Sequence, residues 1–147
     1  MKVARIRDVK LPTRGTDGSA GIDFYIPNDY PEKLCTIPPG DRFFIPSGIK
    51  VNVPIGYALI AFNKSGVSLN KGLMVGACVV DSDYQGEVHL HLINTSAYPA
   101  TISPGDKILQ FLLIEVDHGD IYEVSEDVLY NQQTLRGSGG FGSTGTV

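Results

Sequence analysis

Hydrophobic residues in this chain alternate with polar ones over short spans, and no long stretch carries helical spacing. Val88-His89-Leu90-His91-Leu92 shows the period-two pattern of a strand with one buried face. Alternating or β-branched runs predict strands over Val3–Val9, Gly21–Ile26, Arg42–Ile45, Ile49–Val53, Tyr57–Phe62, Val75–Val80, Glu87–Asn94, Ala100–Ile102 and Ile108–Val116. Between them stand turn segments such as Pro38-Pro39-Gly40-Asp41, Pro46-Ser47-Gly48, Pro54-Ile55-Gly56 and Ser103-Pro104-Gly105-Asp106. Short strands at this spacing predict an all-β fold, a β-barrel or jelly roll, in one domain. Helix is expected only at Gly66–Lys71 and, behind a Ser125 cap, at Ser125–Leu129.

Composition narrows the function. With 42% hydrophobic residues the chain can bury a core, and a net charge of −4 argues against a nucleic-acid backbone as partner. Small phosphorylated ligands stay open, since a few local cations suffice for them. Cys35 and Cys78 form no CxxC pair, which points to neither zinc nor redox chemistry and predicts two reduced thiols. No apolar run approaches bilayer length, and the first residues lack a signal-peptide core. The expected protein is soluble and cytoplasmic, with neither membrane nor nucleic acid as a partner.

Four internal segments carry chemistry. Val75–Val80 runs into Asp81-Ser82-Asp83-Tyr84-Gln85-Gly86 and leaves through Glu87–Asn94, the pattern of a β-hairpin. Asp81, closing a strand, can be held rigidly enough to orient or deprotonate a water. Tyr84 can pack against a sugar, although aspartates in such a turn also serve simply to satisfy turn amides. Lys64-Ser65-Gly66 supplies a point charge, a hydroxyl donor and an open backbone, as phosphate contacts require, or else is a solvated turn. Ser19-Ala20-Gly21-Ile22-Asp23 and Gly105-Asp106-Lys107-Ile108-Leu109-Gln110 place a carboxylate and an amide on early and late strands. Glu87, His89 and His91 share one strand face, where a packing or interface role is favoured over a metal site.

The C-terminal segment Arg136-Gly-Ser-Gly-Gly-Phe141-Gly142-Ser143-Thr144-Gly-Thr-Val147 has the composition of a flexible linker. Its backbone amides can also close around an anion, Arg136 offers a bidentate phosphate partner, and Phe141 offers a surface for stacking. Asp127 is the last acidic side chain, so the tail is locally cationic. These features divide the chain into a β-barrel domain over 1–135 and an arm over 136–147.

Taken in order, Ala20-Gly-Ile-Asp23-Phe24, Lys64-Ser65-Gly66-Val67, Val80-Asp81-Ser-Asp83-Tyr84-Gln-Gly86, Gly105-Asp106-Lys-Ile-Leu-Gln110 and the tail resemble the trimeric dUTP diphosphatase (dUTPase) family over essentially the whole chain. The resemblance implies a jelly-roll homotrimer with active sites shared between subunits. It implies hydrolysis of dUTP to dUMP and diphosphate with Mg²⁺ on the triphosphate, which keeps uracil out of DNA and supplies dUMP for dTMP synthesis. It assigns Asp81 to the attacking water and the deoxyribose 3′-hydroxyl, Tyr84 to the sugar, and the strand around Cys78 and Val79 to uracil. Ser65 would donate near the α–β bridge, with Lys64 and Gly66 at the phosphates. Gln110 would orient the water or bind phosphate, and Asp23 would hold water ligands of the metal. Arg136, Gly142, Ser143 and Thr144 would close on the phosphates, with Phe141 over uracil. One motif departs from the family: Asn63-Lys64-Ser65 stands where Pro-Arg-Ser is usual, which keeps the charge and loses the planar fork. A dCTP deaminase shares the jelly roll but not this hairpin or tail, and a nucleotide sensor would keep the pocket and hydrolyse slowly.

Overall fold

The computed structural model describes residues 1–140. It divides into two units, Met1–Asp117 and a second that begins at His118. The first holds eleven strands and one short helix: β1 (Lys2–Arg5), β2 (Thr13–Arg14), β3 (Ile22–Tyr25), β4 (Cys35–Ile37), β5 (Arg42–Asn52), β6 (Tyr57–Asn63), α1 (Ser65–Lys71), β7 (Leu73–Val75), β8 (Val79–Val80), β9 (Glu87–Asn94), β10 (Ala100–Ile102) and β11 (Lys107–Glu115). The second contains one helical turn, α2 (Glu126–Leu129). Ser125 stands at the N-cap of α2 as expected, but its side chain makes no capping hydrogen bond. Among the described residues no helix is long and apolar enough to cross a membrane.

The fold is mostly β and resembles a jelly roll only loosely, because the barrel does not close. Its strands form a four-stranded sheet in the order β1-β5-β9-β7, a five-stranded sheet in the order β2-β3-β11-β6-β8, and a β10-β4 pair. The inward residues of all three meet in one core. Ile45, Leu90 and Leu92 come from the first sheet, Phe24, Leu59 and Phe111 from the second, and Ile37 and Ile102 from the pair. Phe24 and Phe111 lie 4.5 Å apart at their ring centroids, tilted by 55°, an arrangement that favours aromatic edges over flat stacking.

Pro46-Ser47-Gly48 does not separate two strands as its turn chemistry predicted. β5 runs through it, with a four-residue step from Pro46 to Lys50 set against a two-residue step of β9 from His89 to Glu87. The extra length bulges at Gly48, whose φ of 77° suits glycine. A Cβ there would also meet the Arg7 side chain at 2.4 Å. The Glu87 carboxylate accepts the Gly48 N–H and holds the bulge.

The run Val75–Val80 likewise splits. β7 pairs with β9 in one sheet, whereas β8 pairs with β6 in the other. The segment 81–86 therefore crosses between sheets, and the expected hairpin is absent. Short-range pattern could not show this, because β8 and β9 each satisfy their hydrogen bonds with strands distant in sequence. β2 and β4, of two and three residues, are too short to show a period in the sequence.

Candidate active site

The central strands of the five-stranded sheet assemble the first group of site residues. In the register of β3 with β11, Gln110 lies opposite Asp23, and in that of β11 with β6, Leu109 lies opposite Asn63. The Gln110 amide donates to the Asn63 carbonyl at 2.9 Å, tying it to the turn that carries Lys64 and Ser65. Gly21 makes room for Gln110: a Cβ there would lie 2.0 Å from its Oε1. Asp23 is buried, with 3% of its surface exposed, and its charge is met by two ammonium groups. Lys64 donates to Oδ1, and the Lys107 Nζ lies 3.1 Å from Oδ2. The hydrogen bond to Asp23, with the charge of the carboxylate behind it, holds Lys107 above the usual lysine range. Ser65, exposed at the start of α1, follows directly.

Sequence reasoning missed Lys107, although Gly105-Asp106-Lys107 stands within a motif. Its meeting with Asp23 is fixed by a bulge between Lys107 and Leu109 that no local pattern encodes. It missed Asn63 as well, whose Oδ1 accepts the Val75 N–H at 2.7 Å.

The second group surrounds a cavity of about 240 Å³ lined by Cys78, Val79, Tyr84, Phe44 and His89 among others. Asp81 is exposed at the end of β8, and the Tyr84 N–H donates to its carbonyl at 3.2 Å. The Tyr84 hydroxyl donates to the Glu87 carbonyl at 2.9 Å, which pins the ring against the cavity wall. The Ala61 N–H donates to the Cys78 carbonyl at 2.8 Å. Among the described residues the Cys78 N–H and the Gly76 and Ala77 carbonyls make no hydrogen bond, so a donor stands beside acceptors in this segment. Glu87 is engaged with the β5 bulge and His91 with the Ala77 N–H, so neither is turned to a metal.

The two groups sit within the same unit, and no hydrogen bond or ion pair among the described residues joins Asp23, Lys64, Ser65 or Gln110 to Cys78, Val79, Asp81 or Tyr84. Arg136 belongs to the second unit, exposed in a turn where its Nε donates to the Gly139 carbonyl at 2.8 Å. Phe141, Gly142, Ser143 and Thr144 lie outside the described residues.

The described residues do not fit a metal held by protein ligands. No three His, Cys, Asp or Glu side chains among them converge on one point, and both oxygens of Asp23 face lysines.

The family model for dUTPase matches residues 7–145. A deoxyuridine 5′-triphosphate nucleotidohydrolase of Candida albicans is 40% identical over 92% of this chain and 81% of its own length. One of Finegoldia magna is 37% identical over 99% of this chain and 98% of its own. Among solved structures, a Staphylococcus bacteriophage 80alpha dUTPase with dUpNHpp superposes with a TM-score of 0.84, at 19% identity, covering 98% of this chain and 97% of that one. A dUTPase from a phage of S. aureus, described with a structural Mg(II) ion, gives 0.74 at 18% identity over 85% of this chain and 96% of its own. The matched residues take in both side-chain groups and the tail up to Gly145, and this chain belongs to the dUTPase family.

Proposed function

We propose that this chain hydrolyses dUTP to dUMP and diphosphate. The observation that carries the reading is the cavity lined by Tyr84 and by the segment through Ala77, Cys78 and Val79, where the Cys78 N–H and the Ala77 carbonyl make no hydrogen bond among the described residues. The Cys78 N–H can donate to one uracil carbonyl while the Ala77 carbonyl accepts from the imide N–H beside it; cytosine reverses both of those positions, with an acceptor at the ring nitrogen and a donor at the amino group. Cys78 and Val79 thus read the base, and Tyr84 packs on the deoxyribose, where a 2′-hydroxyl collides.

The Asp81 carboxylate orients a water and receives its proton as the water oxygen bonds to the α-phosphorus. The bond to the α–β bridging oxygen breaks, and the electron pair leaves with diphosphate. Ser65, Gly66 and Lys64 serve the phosphates, and Gln110, held over Gly21, orients the water or a phosphate oxygen. Lys64 reaches the triphosphate by exchanging Asp23 for a phosphate oxygen, leaving Lys107 on the carboxylate. Arg136, Gly142, Ser143 and Thr144 close on the phosphates with Phe141 over the base, which excludes bulk water. Mg²⁺ accompanies the triphosphate, where it neutralises phosphate charge. Asp23 would reach its water shell only after releasing a lysine.

The active form is a homotrimer whose sites are completed across subunit junctions, a reading supported by membership of the dUTPase family. We place the activity in the cytoplasm, in the chemistry that keeps uracil out of DNA and yields dUMP for dTMP synthesis. A diphosphate-release assay with dUTP, UTP, dTTP and dCTP tests the reading. Release from dUTP alone is expected; equal release from UTP or dCTP overturns it.

A further inference from the structure

We propose that His91 is a positioning residue for uracil discrimination, holding the base-reading segment Gly76–Val79 in shape from behind. The inference rests on the assignment of that segment to the base. β9 delivers His91 to the outer face of its sheet, opposite Phe44 in the register with β5. The Ala77 N–H donates to the His91 Nδ1 at 2.7 Å, and the Gly76 N–H donates to the His91 carbonyl at 3.0 Å. One residue thereby takes both amides at the start of the segment. The fit is close, since a Cβ on Gly76 would lie 2.3 Å from Nδ1. The Phe44 ring meets the imidazole edge-on at 5.4 Å and stacks on His89 at 4.8 Å, which braces the ring from the other side.

The tautomer follows from these contacts. With Nδ1 accepting, the proton of the neutral ring sits on Nε2, and that nitrogen is buried without a partner among the described residues. An orphaned buried donor is costly, so a leucine would serve stability at least as well. What leucine lacks is the acceptor for the Ala77 amide. Losing it releases the start of the segment, which shifts the Cys78 N–H and the Ala77 carbonyl off the positions that meet the uracil carbonyl and imide. The pattern that selects uracil would then be blurred while the phosphates and the water stay in place.

The test compares full-length wild type with His91→Leu, His91→Asn and Gly76→Ala in diphosphate release from dUTP and dCTP, in dUMP binding by calorimetry and in Tm. Asn presents an amide oxygen near the place of Nδ1, whereas Gly76→Ala keeps the imidazole and pushes the segment off it. For His91→Leu and Gly76→Ala, KM for dUTP and Kd for dUMP should rise about tenfold, and the preference for dUTP over dCTP should fall. For His91→Leu, kcat should stay within about twofold of wild type and Tm should be equal or higher. His91→Asn should recover most of the discrimination. If His91→Leu does not fold, Gly76→Ala decides by itself. Unchanged KM and preference in the folded variants overturn the inference. A wild type with no preference for dUTP over dCTP overturns the base assignment instead.

Discussion

The two halves of the candidate site are built by opposite means. Asp23, Lys64, Lys107 and Gln110 stand on the paired central strands β3, β11 and β6 or directly beside them, where register sets every position. The segment from Gly76 to Tyr84 has only the two residues of β8 in a sheet and is held by side chains reaching in from elsewhere. A charged group needs the first arrangement, because a buried carboxylate is tolerated only when its counter-ions are fixed around it. A base needs the second, because main-chain donors and acceptors can read it only where strand pairing has left them unused. Ordinary sheet would have consumed the groups that the cavity exposes.

Substitutions that strike one half at a time break this comparison apart. The largest effect belongs to Asp81→Asn, which should lower kcat by about 10³-fold while calorimetry still detects dUpNHpp binding. Near-normal turnover there would remove Asp81 from the water. Truncation before Arg136 should remove most turnover, about 10²-fold, with the thermal unfolding of the Met1–Asp117 unit unchanged. Full activity in the truncated chain would return the tail to linker status. Gly21→Ala comes next. Its Cβ overlaps the end of a side chain that can rotate away, so Tm should move little, but Gln110 leaves its place and kcat should drop about tenfold.

Smaller effects test the ion cluster for its structural share. Asp23→Asn leaves Lys64 and Lys107 without their carboxylate and should cost about 1–3 kcal/mol in urea unfolding. A wild-type midpoint would mean that the cluster serves only ligand. Lys107→Gln should change Tm least, since its ammonium is half exposed and screened. Because the partner raises the Lys107 pKa, its contribution is fully present below the unfolded lysine value and fades only as pH rises through the folded one. The Tm difference between wild type and Lys107→Gln should therefore be flat across neutral pH and shrink in strong alkali.

Much of the site is legible because its residues lie in short motifs. Asp81, Tyr84, Ser65 and Gln110 announce themselves by the neighbours they keep, and β9 and β11 by alternation. The lysine pair on Asp23 is not legible, since Lys64, Lys107 and Asp23 are far apart in sequence and meet through three strands. Nor is the role of His91, whose outward position on β9 is readable but whose partner lies in another segment. The same cause defeats the expected hairpin at 81–86 and the expected break at Pro46-Ser47-Gly48.

The sequence by itself determined the β class, because period and turn chemistry act over a few residues, and its ordered motifs carried the resemblance to the family. Tertiary structure alone decided that β7 and β8 part into different sheets, that two lysines share one buried carboxylate, and that a histidine takes both amides at the start of the 76–79 segment. Each of these depends on which distant strands pair, and in what register. That choice minimises unpaired backbone and exposed apolar surface over the whole chain at once, so no local pattern records it.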